Sequence, residues 1–160
     1  MVIRGDARAQ PRLPKCAQRA TNTTMDDDSF YELDPDGDLW VGEKAPGPTR
    51  EKSFEFALAV IRLYKKLQEK KEFVVSKQLL RAGTSIGANV EEAVAATSRR
   101  DFLHKMTISS KEAREAVYWL RLLDESDLVD GVDVQDHLRT ARELVLLLTS
   151  IVKTTKDSLQ

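Results

Sequence analysis

A chain of 160 residues, 41% hydrophobic and 32% charged, is long enough to bury one domain's core and suits a charge-coated helical protein better than a β-sandwich. No apolar run approaches the ~18 residues of a bilayer span, so a membrane is not an expected partner. The formal net charge of −1 excludes neither nucleic acid nor protein partners, because the charge is unevenly placed.

From Met1 to Thr24 five basic residues oppose Asp6 alone, a net of +4. From Met25 to Thr49 eight acidic residues oppose Lys44, a net of −7, which leaves +2 for the remainder. Rich in Asp, Pro, Gly and Thr and without apolar periodicity, these segments cannot bury enough surface to offset their ordering entropy. Residues 1–49 are therefore expected to form a disordered tail and residues 50–160 the folded domain. Phe30, Tyr31, Leu33, Leu39 and Trp40 stand out as an aromatic-acidic patch of the kind short docking peptides use, although incidental aromatics in a tail are the plainer account. Met25 offers an alternative start to the protein. The N-terminus lacks the apolar stretch of a secretory signal, and the single cysteine, Cys16, can make no internal disulfide. A reducing cytoplasm is the expected location.

Four helical segments follow. The first is predicted from Pro48-Thr49, with Thr49 as a cap, to about Lys70, burying Phe56, Val60, Tyr64 and Leu67. The second is predicted from about Val74 to Thr97, with Leu79, Gly83, Ile86, Val90, Ala93 and Thr97 inward. Ser98 reads as an N-cap with Asp101 three residues on. The third helix then spans about Arg99 to Glu125, burying Phe102, Met106, Ser109, Ala113, Val117 and Leu120. Gly131 marks a break, and Asp133 with Asp136 opens a fourth helix that buries Val134, Leu138, Ala141, Val145, Leu148 and Val152. Short loops make sequential neighbours antiparallel, so the predicted fold is all-α, an antiparallel up-down-up-down four-helix bundle behind a disordered N-terminal tail.

A polar band flanks the inner stripe. Arg81, Ser85, Asn89 and Glu92 are spaced 4-4-3 on the second helix, and Lys105, Ser109, Glu112 and Glu115 form a matching flank on the third. Folding about Ser98 is expected to set Glu92 beside Lys105, Asn89 near Ser109, Ser85 near Glu112, and Arg81 near Glu115 or Glu112. Each pairing is complementary, so the band reads as a hydrogen-bonded seam that fixes register. A ligand or partner pocket built on the same residues is the sharper alternative. Apolar or small residues also extend beyond the inner faces: Leu80, Gly87, Ala88, Val94 and Ala95, then Ile108, Trp119 and Leu122, then Leu146 and Leu147. Of these, Leu80, Gly87, Val94, Ile108, Trp119 and Leu122 are the expected oligomer interface; a wide core within one subunit is the competing account.

Catalytic and metal chemistry find no footing. Glu112 and Glu115 lack a histidine at the spacing a carboxylate-bridged metal pair needs. His104 falls on the outer face, and His137 merely opens a helix. Gly83-Thr84-Ser85-Ile86-Gly87 is followed by no lysine and preceded by no strand, so its glycines suit close helix packing rather than a phosphate loop. Cys16 lies in the tail, away from any catalytic histidine. No cofactor, metal or small-molecule substrate is expected. Arg62, Lys65, Lys66, Lys70 and Lys71 line the end of the first helix as a basic patch, a candidate nucleic-acid surface or an ordinary charged face.

The stretch from Ser76 to Ala93, centred on Arg81-Ala82-Gly83-Thr84-Ser85-Ile86-Gly87-Ala88-Asn89, is specific. It continues through Asp101-Phe102 and Ile108-Ser109-Ser110-Lys111-Glu112-Ala113 to Tyr118-Trp119-Leu120-Arg121-Leu122-Leu123. Over about Phe54 to Ile151 the chain resembles the bacterial four-helix bundle proteins, also called 23S rRNA intervening-sequence proteins. That resemblance implies a bundle assembling into a ring, typically a homopentamer, of unsettled biochemical role. Related accessory proteins of diversity-generating retroelements bind nucleic acid and a reverse transcriptase through a basic barrel. Arg81, Ser85, Asn89, Glu92 and Glu112 match the family's polar motifs and are taken as structural or interfacial. The expected function is a non-enzymatic, homo-oligomeric scaffold or adaptor. The alternative is a nucleic-acid-binding accessory protein, against which the domain's net charge of only +2 counts.

Overall fold

The structure is a computed structural model, and it describes residues 31–33, 39–41, 47–126, 128 and 131–159. Two three-residue strands, β1 (Tyr31–Leu33) and β2 (Leu39–Val41), pair antiparallel with Glu32 opposite Trp40. They lie in the stretch read as tail, whose last three residues, 47–49, open α1; the rest of that tail, and with it Cys16 and Phe30, falls outside the described residues. Beyond them the domain is all-α: α1 (Gly47–Glu69), α2 (Val75–Val94), α3 (Arg99–Glu125) and α4 (Gln135–Asp157).

Each helix forms because its apolar positions recur at three- and four-residue steps and so share one face. On α1 that face is Phe56, Val60, Leu63 and Leu67, all at most 2% exposed. Tyr64, expected there, is only half-buried, because the stripe steps to Leu63. Helix α1 begins at Gly47, so Thr49 is a buried first-turn residue rather than a cap. Helix α2 ends at Val94, three residues short of its predicted end, which leaves Thr97 exposed in the turn. Ser98 does cap α3, its hydroxyl accepting the Asp101 N–H at 3.1 Å. On α3, Ala116 and Ser110 enter the core while Val117 packs partly buried against it. On α4, Leu144 takes the central place expected for Val145, and Val145 and Val152 flank it.

Neighbouring helices meet along the whole core. Gly83 of α2 lies against Val60 of α1, and Arg50 of α1 pairs with Glu91 at 2.7 Å. Between α2 and α3, Glu92 meets Lys105 and Arg81 meets Glu115. Gln135 reaches Asp124 at 2.8 Å and Arg114 reaches Thr149 at 3.0 Å across α3 and α4. Lys52 and Glu143 close α1 onto α4, the slightest of the four contacts. For the three sequential helix pairs, the paired residue numbers rise along one helix as they fall along its neighbour.

Candidate functional site

The polar band lies along the outside of the α2–α3 contact. Lys105 donates to Glu92 at 2.5 Å, and that hydrogen bond, reinforced by the carboxylate's charge, raises the lysine's pKa. Both side chains are substantially solvated, so the pair registers the helices more than it stabilises them. Ser85 lies near enough to Glu112 to act on its carboxylate, and the Arg81 guanidinium lies 3.5 Å from Glu115. Three of the four expected pairings are therefore present.

The fourth is not. Asn89 donates back along its own helix, to the Ser85 carbonyl at 2.8 Å and the Ser85 hydroxyl at 3.2 Å. Ser109 instead donates to the Ile86 carbonyl at 2.9 Å. Ser109 is fully buried while Asn89 sits on the flank, so a short hydroxyl at that depth meets the α2 backbone first. This helix-to-helix bond had no sequence signal beyond a serine on an apolar face.

The carboxylates at the middle of the band are not fully balanced. Burial pushes Glu112 above the usual carboxylate range and the neighbouring Glu115 pushes it further, while Arg81 and the Ser85 hydroxyl act against both. Glu115 in turn accepts from Trp119 Nε1 at 3.1 Å. Because the folded value is raised, ionised Glu112 costs stability. That cost grows as pH rises from the unfolded carboxyl's pKa through the folded one. Glu112→Gln, which keeps an acceptor for Ser85, should raise neutral-pH stability by about 0.2–0.5 kcal/mol, the size of one like-charge helical pair. Urea unfolding at pH 7 checks this; a clear loss would show that the charge itself holds the seam.

The predicted oligomer residues divide into two groups. Val94 is 44% exposed, whereas Leu80, Ile108, Trp119 and Leu122 are half-buried, and Leu80 and Trp119 pack against the domain's own core. Gly87 faces α1: a Cβ there would sit 3.5 Å from the Ser53 carbonyl oxygen. Gly87 therefore sits in the α1–α2 contact of one chain, a correction to its expected place on an outer interface. The largest exposed apolar groups include Phe54 at 61% and Leu146 at 71%, with Leu58 one turn from Phe54 on the same outer ridge of α1. The 54–58 spacing carried that signal, on the side of α1 away from Phe56 and Val60.

The basic residues Arg62, Lys65, Lys66, Lys70 and Lys71 are all exposed. Arg62 and Lys66 line a cleft of about 480 Å³ between α1 and the start of α4, with Ala59, Leu63, Gly131, Val132, Asp133 and His137. His137 lies near the Ala59 carbonyl, and its buried Nδ1 has no hydrogen-bond partner among the described residues. Burial holds this imidazole below the usual histidine range, against the nearby Ala59 carbonyl and Asp136, which raise it. His104 is exposed, and among the described residues no three His, Cys, Asp or Glu side chains are placed to hold a metal. No helix among the described residues is long and apolar enough to cross a membrane.

A four-helix, all-α domain with this polar band along α2 and α3 defines the class of protein. The chain belongs to the 23S rRNA-intervening sequence protein family, which matches residues 49–150, well over half of it. It is also similar, at 45% sequence identity and a TM-score of 0.64, to a solved protein of unknown function from the S23 ribosomal protein family of Bacteroides thetaiotaomicron. That similarity covers 68% of this chain and 98% of the other. No curated protein matches.

Proposed function

We propose that this protein is a non-enzymatic cytoplasmic scaffold that works as a homo-oligomeric ring built from up-down-up-down bundles. The opposed numbering of the three sequential helix pairs supports the antiparallel arrangement, and the pentameric count rests on the family resemblance. The observation that carries self-association is the outward apolar ridge of α1, where Phe54 is 61% and Leu58 37% exposed. Water-facing phenylalanine and leucine one turn apart cost nothing in an assembly that covers them, and such surface marks interfaces. Light scattering on the 18.1 kDa chain should give a mass several times the monomer's. The double variant Phe54→Asp with Leu58→Asp should give a folded monomer, since both side chains lie outside the core. A wild-type monomer at micromolar concentration would sink the reading.

A second reading is favoured by a separate observation. The five cations at the end of α1 are exposed and show no ion pair among the described residues. They suit phosphate contacts, as in a nucleic-acid-binding accessory protein whose partners include RNA, DNA or an enzyme that works on them. Binding of this kind weakens steeply with salt through counterion release; binding with no salt dependence would count against it.

A further inference from the structure

We infer that the cleft between α1 and the start of α4 binds a nucleotide unit, its phosphate on Arg62 and Lys66 and its base against the apolar floor. The inference rests on the nucleic-acid reading and narrows it to one site. Arg62 and Lys66 are four residues apart on one helix, so their side chains rise side by side, roughly 6 Å apart at Cβ. A guanidinium and an ammonium at that spacing can share the oxygens of a single phosphate, the guanidinium in a forked pair of bonds. Neither makes an ion pair among the described residues, so both donors are available.

The remaining walls suit the rest of a nucleotide. Ala59, Leu63 and Val132 supply apolar surface, and the space of about 480 Å³ is within the size of ordinary ligand sites. Asp133 spends Oδ1 on the Gln135 N–H at 2.9 Å, which leaves Oδ2 to accept from a ribose hydroxyl or an exocyclic amine. The carboxylates near the cleft are few enough to leave it cationic. Asp133 is the one carboxylate among the lining residues, against Arg62 and Lys66, and Asp136 pairs with Arg139 at 3.1 Å. Half-buried His137 closes one side. Lys70 and Lys71 lie beyond the cleft, in and after the α1–α2 turn, and add only a diffuse field.

The nucleotide could be free or the phosphorylated end of a strand. Three probes separate these sources by calorimetry on the full chain at low salt: adenosine 5′-monophosphate, a short 5′-phosphorylated oligoribonucleotide, and the same oligonucleotide without the phosphate. The Arg62→Gln/Lys66→Gln variant should weaken the phosphorylated probe that binds by about tenfold or more, with an unchanged melting profile. Lys70→Gln/Lys71→Gln removes equal charge outside the cleft and should weaken it by less than about threefold. Adenosine monophosphate binding that depends on the cleft, without oligonucleotide binding, would support the site while overturning the nucleic-acid reading. Equal weakening by both double variants, or indifference to the phosphate, would overturn the site while leaving strand binding intact. No binding of any probe would overturn both.

Discussion

Gly83→Ala is expected to lower the stability of the domain, whereas Gly87→Ala, one turn further along the same helix, should raise it. A Cβ on residue 83 would lie 2.9 Å and 3.0 Å from the two methyls of Val60 and 3.2 Å from its Cβ. Val60 is completely buried, and a β-branched side chain in a helix is held to essentially one rotamer. It cannot swing aside, so α1 and α2 must separate. Overpacking of this kind costs about 1–3 kcal/mol. Replacing a mid-helix glycine by alanine returns only about 1 kcal/mol of helix propensity, so the clash wins. At residue 87 the nearest atom to an added Cβ is the Ser53 carbonyl oxygen at 3.5 Å, an ordinary contact, and the propensity gain of about 0.5–1 kcal/mol remains. Urea midpoints followed by far-ultraviolet circular dichroism, at one fixed protein concentration, would measure both. Val60→Ala should recover much of the Gly83→Ala loss, giving a coupling energy in the cycle. If Gly83→Ala matched the wild type, the close α1–α2 approach would be wrong.

That contact also shows what sequence could and could not convey. Strong periodicity placed all four helices, and Ser98 with Asp101 fixed the start of α3, because a cap is a local event written in adjacent residues. The stripes missed by one position at Tyr64 and Val145. In each case Leu63 or Leu144 is an equally apolar neighbour, and only packing against the other helices chooses between them. For the polar band, complementary charges at level positions predicted Glu92 with Lys105 and Arg81 with Glu115. Asn89 departed because a carbonyl one turn back on its own helix was nearer than Ser109, a choice made by depth rather than spacing. The cleft was not legible at all. It joins Arg62 to Asp133 across a long interval of sequence, and no periodicity carries such a contact. Gly87 shows the reverse error: a small residue read as outer surface faces α1, with room there for a methyl group.

Removing the carboxylate of Glu72 should weaken the domain by about 1–2 kcal/mol, an effect with no warning in the helical pattern. Helix α2 has Val74 at its N-cap position and so no capping side chain of its own. Glu72 supplies one from the turn. Oε1 accepts the Val74 and Val75 N–H groups at 2.9 and 2.8 Å, and Oε2 accepts that of Ser76 at 2.6 Å. The Glu72 carbonyl accepts in turn from the Ser76 hydroxyl at 2.8 Å and from Gln68 at 3.0 Å, with Lys71 turned to a φ of 64° to bring the chain round. Glu72→Ala leaves three donors of the first turn without this acceptor, while Glu72→Gln keeps one oxygen and loses the charge, so the glutamine should cost about half as much. Partial burial pulls the Glu72 pKa up, but the bonds from Ser76, Val75 and Val74 outweigh it and hold the carboxylate below its ordinary range. A depressed folded value means that the stabilisation is complete above the unfolded pKa, about 4.3, and is lost as pH falls through the folded one. The gap between wild type and Glu72→Gln in urea midpoint should therefore be widest at neutral pH and close as pH falls through the folded carboxyl's pKa. A gap that stays constant across that range would mean that shape, not the charged acceptor, holds the start of α2.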